Sequence, residues 1–325
     1  MVGRELLGLL EKRRFPAGEF YPFNSGRNPE PVAFRGKKYI CRKPSFESLK
    51  KSDIVFFVST DEVSEKFAKK LAAAGVWCID DSSRFRLDTA VPLVIPEVNA
   101  SAIKPGRRLI AGPNCTLTGA AVALYDIHKR FKIRELRLST YQAVSGAGKS
   151  AMRQLETELA HYLKAGRVPE LKDRKFPHPI AFNLFPQVGG FDGNGVSVEE
   201  NKVIAELRKI WSSPGVKISV TAVRVPVLRG HSLSVWVKTE KKWSLKELQK
   251  TLLKTPGLEF FKDPYKYPTP LAAVKTSGVK AGRLRPSGVS PLEFQLWIVS
   301  DNLYKGAALN SVEIAEYLLK HKLIK

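Results

Sequence analysis

The chain has 325 residues, 43% of them hydrophobic and 26% charged, enough apolar content for one large or two ordinary globular domains. No apolar run approaches the roughly 18 residues that a membrane-spanning helix needs, and the first residues lack the basic-then-apolar pattern of a leader, so no membrane partner is expected. The net charge of +23 favours anions. Its basic residues are spread in pairs such as Lys37-Lys38, Arg107-Arg108 and Lys241-Lys242, without a nucleic-acid signature. A solvated basic surface is the first reading, steering of anionic small molecules the second, and a nucleic-acid footprint a distant third.

In chain order, the first third alternates helix and strand patterns. Residues 4–13 form an amphipathic stretch with Leu6, Leu7, Leu9 and Leu10 on one side. Strands are expected at 54–58, 76–79, 91–95 and 108–111, with a helix over 62–74. Such alternation implies βαβ units and a mostly parallel sheet. After Asn114 a helix is expected to about Phe131, and the character then changes. Strand runs at 136–142, 218–225, 232–237 and 294–299 are interspersed with helices at 150–163, 198–211 and 245–253, and an amphipathic helix at 312–319 closes the chain. The fold class is therefore α/β plus α+β, with a boundary near 115–118 and any chemistry there expected between domains.

Cys41, Cys78 and Cys115 are an odd, unpaired set, which argues against a disulfide framework and a structural zinc and makes the cytosol the default compartment; no metal is expected. In Gly112-Pro-Asn-Cys115 a strand ends, a turn follows and Cys115 opens a helix, whose dipole favours the thiolate. Ser139-Thr-Tyr-Gln142-Ala-Val-Ser145-Gly146-Ala-Gly148 ends a β-rich run in small residues that let backbone approach a ligand. Arg224-Val-Pro-Val-Leu-Arg-Gly-His231-Ser places a histidine, the natural general acid or base for a cysteine enzyme, after a strand. Glu199 and Lys202, three apart on a helix, have the spacing of an ordinary solvated pair. Each feature alone has a bland reading: a buried thiol, a plain turn, a surface histidine.

Together, Pro113-Asn-Cys115, the block 139–148, Arg224-Val-Pro-Val and Gly230-His-Ser232 resemble the aspartate-semialdehyde dehydrogenases. So do Ile79-Asp-Asp-Ser-Ser-Arg-Phe-Arg86, Val91-Pro-Leu-Val-Ile-Pro-Glu-Val-Asn99 and the closing Asp301-Asn-Leu-Tyr-Lys-Gly-Ala-Ala-Leu-Asn310. The related acetylglutamyl-phosphate reductases share the cysteine chemistry but lack the Gln block and the Gly-His-Ser arrangement. The resemblance implies a Rossmann-like NADP-binding domain over 1–115, completed by a C-terminal helix at 305–325, and a mixed-sheet catalytic and dimerisation domain over 116–304. It implies NADPH-dependent conversion of 4-phospho-L-aspartate to L-aspartate 4-semialdehyde in lysine, diaminopimelate, threonine and methionine biosynthesis, by a homodimer acting on aspartyl phosphate and phosphate. Cys115 is then the nucleophile, His231 the acid/base and Gln142 a substrate-positioning residue. Arg224 pairs with the α-carboxylate, Glu199 holds the α-amino group, and Lys202 and Arg86 bind phosphate. Ser145, Gly146 and Asn302 meet the nicotinamide half of NADP, Val2 and Gly3 its pyrophosphate, and Ser25 and Arg27 its 2′-phosphate.

The sequence also departs from that family. Met1-Val2-Gly3 reads as the last part of a Gly-Ala-Thr-Gly-x-x-Gly turn, so the first strand and first glycines are expected to be missing. Two readings stand: a start assigned inside the motif, or a shortened chain with impaired cofactor binding, in the extreme a non-catalytic dimerising or regulatory subunit. Ser59-Thr-Asp-Glu-Val-Ser64 replaces a Gly-richer loop, and Asp81 stands where Asn is usual.

Overall fold

The computed structural model describes residues 1–25 and 31–324. Arg27 lies outside them. The chain divides into two compact units, Val2–Pro113 with Ala307–Lys325, and Asn114–Gly306 with Met1. Asn114 and Cys115 thus open the second unit, whereas the expected boundary followed Cys115.

In the first unit, helix α1 (Val2–Lys12) buries Leu6, Leu9 and Leu10, a spacing that puts all three on one face. An antiparallel hairpin of β1 (Pro31–Phe34) and β2 (Lys37–Ile40) follows. Its two-residue turn has positive φ at both Arg35 and Gly36, the backbone that matches strand twist. Strands β3 (Ile54–Phe57), β4 (Trp77–Asp80) and β5 (Leu109–Ala111) form a parallel sheet in that order, with α2 (Asp61–Ala73) crossing from β3 to β4. Every residue of β4 is buried, as a central parallel strand requires.

The expected strand at 91–95 is reduced to an isolated bridge between Leu93 and Ala111. Two backbone bonds join it to β5, Ala111 N–H to Pro92 O and Val94 N–H to Ala111 O, but Pro92 has no N–H to give and Pro96 starts a helical turn. Asp61 and Glu62, in the acidic loop, lie in the first turn of α2, where a carboxylate suits the helix dipole. Asp61 also accepts bonds from the amide and hydroxyl of Ser83.

The second unit is built on one six-stranded sheet in the order β7-β6-β8-β11-β10-β9. Its strands are β6 (Ile133–Gln142), β7 (Lys217–Arg224), β8 (His231–Thr239), β9 (Leu258–Phe260), β10 (Val279–Pro286) and β11 (Glu293–Ser300). Pairs β6–β7 and β9–β10 are parallel and the others antiparallel. Helices α3 (Leu117–Phe131), α5 (Val198–Ile210) and α6 (Leu245–Lys254) pack on the sheet, α3 burying ten residues along its length. Helix α4 (Lys149–Ala165) joins β6 to the segment before α5. Tyr141, Trp236 and Trp297 alternate with buried residues along β6, β8 and β11 and keep part of their surface exposed.

Helix α7 (Leu309–Lys320) belongs to the first unit. It contacts α1, and its Ser311 hydroxyl donates to Asp81 Oδ1 at 2.6 Å. The other Asp81 oxygen is buried without a partner, and Gly112 leaves room for the carboxyl, because a Cβ there would lie 2.5 Å from Oδ1. Burial pushes the Asp81 carboxyl up to about 7, against the opposing pull of Ser311 and Arg86.

The folded state therefore keeps a proton that the unfolded chain has lost, so Asp81 costs stability as pH rises from about 4 to about 7. Asp81→Asn should match the parent in thermal or denaturant unfolding near pH 4 and exceed it at pH 8 by on the order of 2–4 kcal/mol. Equal stability at pH 8 would count against the buried acid.

Candidate active site

Strand register gathers chemistry at one end of the six-stranded sheet. Gln142 pairs with Arg224 across β6–β7, Tyr141 with Ser232 across β6–β8, and Ser300 with His231 across β8–β11. Gln142, Arg224 and His231 all reach this edge, and all are buried.

Cys115 comes from the turn before α3. Asn114 Oδ1 accepts the Thr116 amide at 2.8 Å and the Thr118 hydroxyl donates to Asn114 O at 3.0 Å, so a side-chain-closed turn occupies 114–116. The helix consequently starts at Leu117, two residues later than expected, and Cys115 precedes it rather than opening it. Gly306 packs on this turn: a Cβ there would lie 2.8 Å from Cys115 Cβ and 3.1 Å from its Cα.

Cys115 Sγ lies 3.5 Å from His231 Nε2. On the other side of the ring the Ala143 amide donates to Nδ1 at 3.1 Å. With that lone pair occupied, the neutral imidazole carries its proton on Nε2, facing the sulfur. Reversing the ring would leave a buried amide against carbon. Burial, reinforced by Arg224, drives the imidazole down to about 3, so it stays neutral at working pH. His231 is aimed from both sides in the chain. Gly230, at φ +95°, lies flush against Pro270, and its amide donates to Asn302 Oδ1 at 2.9 Å. Arg229 Nε donates to both carboxylate oxygens of fully buried Asp301 at 2.9 Å.

Glu199, in the first turn of α5 behind a Ser197 capping box, accepts from Asn114 Nδ2, Thr116 Oγ1 and Gln142 Nε2 at 2.9–3.0 Å. Buried Glu206, two turns along, accepts the Asn114 amide at 2.7 Å. One helix therefore holds both the residue before the thiol and the glutamine. Lys202 lies on the same helix, partly buried, with no ion pair to Glu199 among the described residues. The bland reading of the two as a solvated pair does not hold.

Arg224 donates to Ala143 O at 2.6 Å, stands over the Phe176 ring with 5.6 Å to its centroid, and has a buried Nε without a partner. It borders a cavity of about 420 Å³ with Gly146, Lys175, Phe176, Phe185 and Gln187. A buried guanidinium with an unmet donor, facing a cavity, is suited to a ligand carboxylate.

Ser145 and Asn302, expected at the cofactor, are buried and bonded to each other at 3.0 Å. A Cβ on Gly146 would lie 3.3 Å from both Arg224 Nη1 and His231 Nε2, so bare backbone runs beside the reacting pair, where a flat ring could lie. In the first unit, Val2 and Gly3 form the first turn of α1, whose leading amides suit a pyrophosphate, and Ser25 is exposed. Each unit by itself thus offers groups of a kind that part of a dinucleotide takes: helix-start amides in the first and bare backbone in the second. Arg86, also in the first unit, is buried and donates to Asp81 O at 2.8 Å. The residues not foreseen are Asn114, Thr116, Glu206, the Ala143 amide, Gly306 and the wall at 175–177. Asn114, Ala143 and Gly306 stood inside recognised motifs, though a backbone amide is not read from its residue type; the others carry no local signal.

Comparison with known proteins places the chain in one family. Family models described as the semialdehyde dehydrogenase NAD binding domain and dimerisation domain match residues 1–105 and 124–305. Curated aspartate-semialdehyde dehydrogenases from Aquifex aeolicus and Bacillus subtilis are 40% and 38% identical, each alignment covering 99% of this chain and 96% of the relative. The crystal structure of aspartate semialdehyde dehydrogenase II from Vibrio cholerae complexed with ASA superposes with a TM-score of 0.93 at 36% identity, covering 98% of this chain and 95% of that one. The enzyme from Candida albicans with NADP shares the fold, with a TM-score of 0.75 at 22% identity.

Gly306→Ala tests the seat of the thiol. The added methyl must push the 114–116 turn away from His231, and kcat should fall by on the order of 10²-fold with little change in unfolding midpoint. Unchanged kcat would mean that the turn yields at no cost.

Proposed function

The chain belongs to the aspartate-semialdehyde dehydrogenase family, and on that basis we propose that it reduces 4-phospho-L-aspartate to L-aspartate 4-semialdehyde through a thioester on Cys115. The observation that carries the reading is the 3.5 Å approach of Cys115 Sγ to a buried histidine Nε2 whose other nitrogen is held by backbone.

The cysteine thiolate attacks the acyl carbon, the S–C bond forms, and phosphate leaves with the electron pair of the C–O bond, taking a proton from solvent. NADPH, when bound, supplies a hydride to the thioester carbon. The resulting oxyanion re-forms the carbonyl and expels the thiolate, which returns to the hydrogen bond of His231 Nε2–H. His231 thus acts chiefly as a fixed donor to sulfur, a narrower part than the acid/base first expected of it. Arg224 takes the substrate α-carboxylate from the cavity. Glu199 receives the α-amino group in place of one of its present amide or hydroxyl donors, and Gln142, tied to it, orients the acyl group. Lys202 and Arg86 take the phosphate.

For the cofactor, the α1 amides of Val2 and Gly3 would hold pyrophosphate, Ser25 and Arg27 the 2′-phosphate, and Ser145, Gly146 and Asn302 the nicotinamide half. The open sheet face with Tyr141, Trp236 and Trp297 supports a homodimer through the matched dimerisation domain. The chain's three cysteines, none in a disulfide among the described residues, accord with a cytosolic enzyme.

The test is the reverse assay, phosphate-dependent reduction of NADP by aspartate semialdehyde. It should be present in the parent and lost by at least about 10³-fold in Cys115→Ser. Activity that does not need phosphate, or that survives the serine, would defeat the proposal.

A further inference from the structure

Helix α4 buries two polar side chains, Gln154 and Glu158, on the face that also buries Ala151 and Leu155. One turn apart, they form a chain. Gln154 Nε2 donates to Glu158 Oε1 at 2.7 Å. Gln154 Oε1 accepts the amides of Lys175 and Phe176 at 2.7 and 3.2 Å, and Glu158 Oε2 accepts those of Ile180 and Ala181 at 2.7 and 2.8 Å. Four amides of one irregular segment are thus satisfied by two side chains of one helix, within an apolar cluster of Val144, Leu155, Phe176, Ile180 and Phe185. Buried polar groups are tolerated when every partner is met, and a fully satisfied chain of this kind makes the segment it holds rigid.

The segment they hold is a wall of the cavity. Lys175, Phe176 and Pro177 line it, and the Phe176 ring lies under the Arg224 guanidinium. Phe185, from the same connection, bonds in both directions with the Arg224 backbone. Among the described residues the Arg224 guanidinium has one hydrogen-bond anchor, at Ala143 O, so the face of Phe176 sets the remaining direction in which it points.

We propose that Gln154 and Glu158 are positioning residues for substrate recognition: by fixing 175–181 they seat Phe176 beneath Arg224 and aim its guanidinium at the substrate carboxylate. The proposal rests on the reading of Arg224 given above. Neither side chain touches substrate. Their effect is on the affinity of the carboxylate end, and the thiol, its histidine and the hydride step lie outside it.

The experiment is steady-state kinetics in the reverse assay on Glu158→Gln, Gln154→Glu and the double exchange. Glu158→Gln leaves an N–H facing another N–H whichever way the two amides turn, and Gln154→Glu places two carboxyls together. Each single change should raise KM for aspartate semialdehyde about ten-fold, with kcat within about two-fold and KM for phosphate and NADP unchanged. The double exchange rebuilds the same chain in mirror order, with a carboxyl at 154 accepting from 175 and 176 and an amide at 158 still accepting from 180 and 181, so it should return KM to near the parent value. A double exchange no better than the singles, or singles with unaltered KM, overturns the proposal. Should the singles fail to fold, Phe176→Leu leaves the chain of bonds intact and removes the ring; a raised KM supports the proposal and an unchanged one overturns it. Arg224→Lys separates the two claims. If it leaves KM unchanged, the carboxylate reading itself falls; if it raises KM while Phe176→Leu and Glu158→Gln do not, only the positioning role falls.

Discussion

The contact between a thiol and an imidazole whose far nitrogen is occupied by a backbone amide governs the rest of the site. Because Ala143 N–H fills Nδ1, the proton of the neutral ring has one place to be, and that place faces Cys115. The arrangement follows from strand pairing. The antiparallel pairing of β6 with β8 brings the residue after Gln142 beside His231, and the parallel pairing of β6 with β7 brings Arg224 beside Gln142. A one-residue slip in either register would turn these side chains to the opposite face and dissolve the site. The chemistry asks for no proton to cross between sulfur and nitrogen, which accords with a ring driven down to about 3.

Around that contact the protein spends buried polar groups on direction. Glu199 and Glu206 from α5 hold the asparagine before the thiol, and Asp301 holds the arginine two residues before the histidine. Glycine does the complementary work. Gly306 admits the thiol turn and Gly230 the approach to His231, each at a spot where a Cβ would meet another residue inside 3.0 Å. Arg224 keeps a buried Nε without a partner where its guanidinium borders the cavity, a donor that a ligand carboxylate could meet.

Much of this was legible in the sequence because it is local. The amphipathic leucines of α1, the period-two alternation of β6 and β8 and the Ser197 cap of α5 each write their element into a few neighbouring residues. The short hairpin of β1 and β2 was not, since its Arg35-Gly36 turn lacks the Asn-Gly signature and its strands are mostly exposed. Residues 91–95 read as a strand from apolar content, but Pro92 and Pro96 left only one bridge. At the site, Cys115, Gln142, Arg224 and His231 were recoverable from motif blocks. The Ala143 amide was not, because a backbone donor has no letter in the sequence, and Glu206 looks like any helix-surface acid until the fold buries it. Glu199 and Lys202 show the reverse: their spacing suggested a surface pair, the resemblance gave them separate roles, and in the fold Glu199 is bonded to Asn114, Thr116 and Gln142.

The central claim is covalent capture at Cys115, and a pre-steady-state measurement of phosphate release tests it most directly. Mixed with aspartyl phosphate in the absence of NADPH, the protein should release a rapid burst of about one phosphate per chain, leaving an acyl group on the peptide that contains Cys115, while Cys115→Ser gives no burst. A burst that persists in the serine protein, or an acyl group found on another residue, would contradict the account.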